Sequence, residues 1–141
     1  SRPTPALPAT ARPAALRTGP KTFAALDAGR PHIGHIAIRN RGTLGGSLAY
    51  ADPAAELPAC AVALGATLVL GSSAGEREVK AEDFFKGLFE TDLRPGELIV
   101  AVKFPVVQNG MAAGFAELSH YYRPPGKPRS EQPWLATVWR R

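Results

Sequence analysis

Nine of the fourteen prolines in this 141-residue chain fall within its first 21 or last 19 residues. Proline donates no amide proton and fixes its own φ, so these two stretches are poor material for helix or sheet. They also hold the excess positive charge. Residues 1–21 carry four basic groups and no acid; residues 123–141 carry five basic groups against Glu131 alone. The net charge of +5 therefore covers a middle of −3, eight basic and eleven acidic groups between 22 and 122. This division predicts a disordered Pro/Ala-rich lead-in (1–21), one folded unit with a modest core (22–122) and a basic Pro-rich tail (123–141). A nucleic-acid binder presents its charge on a folded face with aromatics for stacking, so no nucleic acid is expected as partner. No apolar run approaches the roughly 20 residues that span a bilayer. The lead-in lacks the apolar block of a secretory signal, and a cytoplasmic location is the expectation. Cys60 is the only cysteine, which excludes an internal disulfide and any all-cysteine zinc or iron–sulfur site.

Between those ends the pattern is mixed. TFAALDAGR (22–30) predicts the end of a helix stopped by Gly29, and IGHIAIRN (33–40) reads as extended. Asp52 and Pro53 suit the N-cap and first position of a helix, and AAELPACAVAL puts Leu57, Cys60, Ala61 and Leu64 on one face. Pro58 either falls early enough in this helix to be tolerated or kinks it; Gly65 is the expected stop. ATLVL (66–70), the turn GSSAGE (71–76) and REVK (77–80) predict a hairpin. AEDFFKGLFE (81–90) predicts a short helical turn carrying Phe84, Phe85 and Phe89 inward. RPG (94–96) predicts a turn, and ELIVAVKFP (97–105) and GFAELSHYY (114–122) predict strands. The class is α+β, antiparallel strands packed with one main helix.

The chemistry concentrates in RGTLGGSLAYADPAAELP. Gly45 and Gly46 lack a Cβ and can expose main-chain amides to a ligand, forming a concave anion nest. Thr43 and Ser47 flank them with hydroxyls. The following helix offers its amide dipoles, and Asp52 and Glu56 offer carboxylates to sugar hydroxyls. The set suits a cofactor with a diphosphate and ribose or ribityl hydroxyls, although paired glycines also serve as plain turns. Neither G-x-G-x-x-G nor a phosphate loop ending in Gly-Lys-Ser/Thr occurs. His32 and His35 lie in an extended stretch without a nearby cysteine or acid, so no metal site is read there. Cys60 reads as packing, the three phenylalanines as core, and Glu82, Asp83, Glu90 and Asp92 as a solvated rim.

The run HIGHIAIRNRGTLGGSLAYADPAAELPACAVALGATLVL, followed in order by AEDFFKGLFETDLRPGELIVAVKFP, resembles the flavin-binding domain of the molybdenum hydroxylases. These are the medium subunits of the carbon monoxide dehydrogenase and xanthine dehydrogenase family. The resemblance covers about residues 31–118 and implies the second subdomain of the PCMH-type FAD-binding fold. It implies FAD contacts from Thr43, Leu44, Gly45, Gly46 and Ser47, with Asn40 and Gly42 shaping the approach. Tyr50, Asp52 and Glu56 would line the cofactor beyond them, and Ile99 would pack on the flavin. It further implies an oxidoreductase component that passes electrons from iron–sulfur clusters through FAD to an external acceptor. Its partners would be a molybdopterin-containing large subunit and a 2Fe–2S small subunit. No acid–base residue and no metal ligand is assigned.

The sequence departs from the family's pattern in three places. No further glycine-rich loop precedes Ile38, RPPGKPRSEQPWLATVWRR matches nothing in the family, and Tyr50 stands where the family often has His. The expectation is a truncated FAD-binding domain. The alternative is a remnant that folds or docks to a partner without holding FAD.

Overall fold

The computed structural model describes residues 6–12, 36–105, 113–118 and 135–140. In chain order the elements are β1 (Ala6–Pro8), α1 (Ile36–Arg41), α2 (Leu44–Tyr50), α3 (Glu56–Ala63), β2 (Thr67–Ser72) and β3 (Gly75–Lys80). There follow α4 (Ala81–Phe84), β4 (Phe85–Gly87), β5 (Glu90–Thr91), β6 (Leu98–Lys103), β7 (Ala113–Leu118) and β8 (Leu135–Arg140). A four-stranded sheet, ordered β1-β6-β2-β3, is antiparallel throughout. The strand pairs β4–β5 and β7–β8 stand apart from it as antiparallel ribbons.

Helical spacing dictates α3. Leu57, Cys60, Ala61 and Leu64 all turn inward as expected, none more than 7% exposed. Pro58 is the third residue of the helix, within the first turn, where its missing amide proton would have no partner in any case. Gly65 ends the helix at φ 65°. Its amide donates to the Val62 carbonyl at 3.0 Å and the Ala66 amide donates to the Ala61 carbonyl at 2.9 Å. These paired bonds form a Schellman cap, and the left-handed residue between them is why glycine belongs there.

The chain then enters the hairpin. Thr67↔Lys80 through Ser72↔Gly75 pair in continuous register around Ser73 and Ala74. Leu68 and Leu70 face the helices, joining Leu44, Leu48, Phe84, Val102 and Phe104 in one apolar cluster. Strand β6 carries an irregularity. Val69 pairs with Ala101 and Leu70 with Ile99, leaving Val100 as an extra residue. This bulge resets the alternation, so Ile99 and Val102 share the core face although three positions separate them. Gly71 makes room for Val100, whose Cγ2 lies 2.6 Å from where a Cβ at 71 would sit.

Several expectations change. Of the stretch 33–40 expected to be extended, residues 36–40 lie in helix α1; the helix end predicted at 22–30 lies outside the described residues. Asp52 and Pro53 do not start α3, whose N-cap is Ala55. Asp52 Oδ1 instead accepts the Ala54 amide at 2.9 Å, an Asx turn that separates α2 from α3. Phe84 is buried as predicted and Phe85 packs beside the core, but Phe89 is 50% exposed at φ 56°. The lead-in and tail are not wholly without structure. Ala6–Pro8 pairs with Ala101–Lys103, and Leu135–Arg140 pairs with Ala113–Leu118. Pro8 sits on an edge strand, where a lost donor is tolerated.

Candidate functional site

Thr43 starts the site. Its extended backbone (φ −125°, ψ 156°) leads from the exposed Gly42 into α2, and its Oγ1 accepts the Gly46 amide at 3.0 Å. The double glycine is thus the first turn of a helix rather than a loop, and neither Gly45 nor Gly46 has positive φ. The Leu44 amide donates to the Ala11 carbonyl at 2.8 Å and the Gly45 amide to the Ala9 carbonyl at 2.8 Å. The Ser47 amide donates to the Thr43 carbonyl at 3.1 Å. Every amide from 44 to 47 is therefore spent within the chain. The open anion nest predicted from Gly45 and Gly46 does not form.

What Gly45 provides is close packing. A Cβ there would lie 2.6 Å from Ala9 Cβ and 3.2 Å from Ala9 Cα. The segment around Ala9 is pinned on its other side, where the Ala9 amide donates to the Val100 carbonyl at 2.9 Å. The bulge in β6, the edge segment and the start of α2 are thereby fastened together.

The remaining predicted residues divide by exposure. Leu44 is fully buried, its side chain in the core. Asn40, Gly42 and Gly46 are exposed, while Thr43, Ser47, Asp52 and Glu56 are half-buried. Ala51, in the left-handed region at φ 52°, ends α2. Just before it Tyr50 stands 65% exposed, with its ring centroid 5.2 Å from that of Phe89 at an interplanar angle of 54°. Ile99, on β6, is half-buried against the core. The carboxamide of Asn40 lies on α1, the hydroxyls of Thr43 and Ser47 at the cap and in the body of α2, and the carboxylates of Asp52 and Glu56 before and at the start of α3. They keep the chemistry that suits a sugar–phosphate ligand; the main-chain donors do not.

A second polar cluster was not legible in the sequence. Arg77, on β3, donates from Nε to Glu97 Oε1 and from Nη2 to Glu97 Oε2, both at 2.7 Å. Its Nη1 donates to Asp92 Oδ2 at 2.8 Å and its Nη2 to the Asp92 carbonyl at 2.6 Å. Glu97 Oε2 also accepts the Arg94 amide at 2.8 Å, closing the turn at Gly96 (φ 83°). The Arg77 fork, then the Arg94 amide, hold the Glu97 carboxyl down to about 2. Arg77 likewise lowers Asp92, with help from Lys86, and is itself pushed up by its two carboxylates. Asp92 is thus a paired residue rather than part of a solvated rim. The available signal was an arginine on a polar strand followed by acids on both sides of an Arg-Pro-Gly turn.

Cys60 is 1% exposed, and burial, followed by the Glu56 carboxylate, pushes its thiol up to about 12. It is packing, not a nucleophile. His32 and His35 lie outside the described residues, and among the described residues no group of His, Cys, Asp and Glu is arranged to hold a metal. No helix among them is long and apolar enough to cross a membrane. An open hollow of about 480 Å³ lined by Thr67, Glu78, Lys103 and Pro105 lies at the other end of β2 and β6 from Ile99. It contains none of the predicted site residues.

Comparison with known proteins identifies the scaffold. Residues 11–107 match the family described as the FAD binding domain in molybdopterin dehydrogenase. The chain is 49% identical over 75 residues to the glyceraldehyde dehydrogenase medium chain of Sulfolobus acidocaldarius, covering 53% of this chain and 27% of that one. Its fold is similar to quinoline 2-oxidoreductase from Pseudomonas putida 86, with TM-score 0.75, 40% identity and coverage of 82% of this chain and 41% of that one. It is also similar to carbon monoxide dehydrogenase from Hydrogenophaga pseudoflava, with TM-score 0.76, 30% identity and coverage of 82% and 42%. The chain thus spans well under half the length of these relatives. The match covers more than half of the chain and takes in α1 to β6, with every candidate site residue from Asn40 to Ile99. This chain belongs to the FAD-binding domain family of the molybdopterin dehydrogenases, whose cofactor is FAD.

Proposed function

We propose that the chain supplies one side of an FAD site in the flavoprotein component of a molybdenum hydroxylase. In that setting electrons pass from iron–sulfur clusters on a small subunit, by way of FAD, to an external acceptor. Substrate is oxidised on a molybdopterin-containing large subunit. The family match over residues 11–107 carries this reading. When bound, FAD supplies the redox chemistry; the chain's own residues bind and orient. Asn40, Thr43 and Ser47 offer polar side chains to phosphate and sugar oxygens. Asp52 and Glu56 accept from ribose or ribityl hydroxyls, and Tyr50 and Ile99 offer apolar surface to a ring. Contact through Gly42 and the exposed Gly46 is by close approach of the main chain, without the nest of donors. The amides of residues 44 to 47 are bonded within the chain, so this reading rests on the side chains and on close approach at Gly42 and Gly46.

Titration of the full 141-residue chain with FAD, followed by flavin fluorescence, tests this reading. Saturable quenching that weakens in Ser47→Ala and Tyr50→Ala is expected; FAD fluorescence unchanged at any protein concentration would sink it. The occupied amides of residues 44 to 47 favour a second reading, a domain that folds and docks without FAD. An unquenched titration by a chain that unfolds cooperatively would select that one.

A further inference from the structure

Arg77 lies at a crossing point that neither the core nor the sheet requires. Leu70 pairs with Arg77 on one side and with Ile99 on the other, so the three residues form one row across β3, β2 and β6. Side chains in such a row project from the same face of the sheet. From its end of that row the Arg77 guanidinium reaches two separate pieces of chain. One is the Arg94–Glu97 turn, from which β6 starts one residue later and reaches Ile99 two residues later. The other is Asp92, whose amide donates to the Phe84 carbonyl at 2.8 Å and which closes the segment carrying Phe89 against Tyr50.

A lysine could balance these charges but could not reproduce the contacts. Four donor–acceptor pairs diverge from one planar group, two of them to both oxygens of the same carboxylate. Such a fork fixes direction as well as distance. Phe89 also holds a backbone conformation that non-glycine residues seldom adopt, and it needs surrounding structure to hold it there.

We infer that Arg77 is a positioning residue for the ring-facing edge of the FAD site, setting Ile99 through Glu97 and the Tyr50–Phe89 pair through Asp92. The inference rests on the FAD reading above, and its test separates the two. In the full chain without cofactor, NMR would follow the Ile99 methyls and the Tyr50–Phe89 ring contact in wild type, Arg77→Lys and Arg77→Met. The Leu48 and Val102 methyls report on the core. The expected result in both variants is a displaced Ile99 signal and loss of the ring contact, with Leu48 and Val102 unmoved. FAD binding measured by fluorescence should then weaken roughly tenfold, as expected for losing a charge-assisted support. Ile99 and Phe89 signals that stay in place, or that shift only together with Leu48, would overturn the inference. Displacement with unchanged FAD affinity would overturn its link to the cofactor. A wild-type chain that never quenches FAD would overturn the functional reading, while the cofactor-free signals still decide the role of Arg77. Should Arg77→Met fail to fold, Glu97→Gln supplies the Ile99 readout and Asp92→Asn the Tyr50–Phe89 readout.

Discussion

Arg77 grips both carboxylate oxygens of Glu97 at 2.7 Å, and the side chain of Glu97 is only 9% exposed. Two residues twenty positions apart thereby tie the β3 edge to the start of β6.

Acid should loosen this tie. The Glu97 carboxyl falls from an ordinary 4.5 to about 2 in the folded chain. A group with a depressed folded value contributes its full stability above the unfolded value, and that contribution is lost as pH falls through the folded one. Urea midpoints should therefore drop between about pH 4.5 and pH 2. Glu97→Gln should be less stable than wild type at pH 7 and show a shallower acid limb. Parallel limbs in the two proteins would count against the assignment.

Adjacent glycines should respond differently to alanine. A Cβ at position 45 would lie 2.6 Å from Ala9 Cβ and 3.1 Å from the Ala9 carbonyl oxygen, so Gly45→Ala should cost about 1–3 kcal/mol. At position 46 the nearest atom is Thr43 Oγ1 at 2.9 Å. There the helical preference of alanine, about 1 kcal/mol, offsets a disturbed cap of similar worth. Gly46→Ala should come out close to neutral in a denaturant titration.

Phe84 and Phe89 form a second contrasting pair. Phe84 is fully buried and Phe89 is half exposed, so Phe84→Ala should cost about 3–5 kcal/mol and Phe89→Ala about 1 kcal/mol or less. Thermal or urea unfolding measures both.

The Cys60 thiol should be inert while the chain is folded. Its value rises from 9.0 to about 12, so the proton is held more tightly in the folded state. Stability from this source is complete below about pH 9 and lost as pH rises through about 12. A thiol-reactive disulfide at pH 8 should label nothing in native protein and one equivalent after denaturation. Fast native labelling would contradict the burial.

The elements legible in the sequence were those whose signal is local. Gly65 after an apolar helical face, the Thr67–Lys80 hairpin and the Arg-Pro-Gly turn each announce themselves within a few residues. Helix α2 was hidden because glycine has poor helical propensity, and the Thr43 cap that launches it is one bond among several. α1 was hidden by its two isoleucines, which favour strands when read without their surroundings. β1 and β8 depend on partners far along the chain, and proline-rich composition masked them. The same distance hid Arg77, whose partners lie fifteen and twenty positions away. At the site, the types of side chain were readable. Whether the amides faced outward was not, because that depends on what Ala9 and Ala11 bring to them.

The contact between Ala9 and Gly45 also limits how these two positions can vary. They share one small volume, with the carbonyl of one residue bonded to the amide of the other. A bulkier residue at either place requires the edge segment to move outward, which would pull the Ala9 amide from the Val100 carbonyl. Substitutions at these two positions are therefore best made and judged as matched pairs, because a change tolerated at one is decided by what occupies the other.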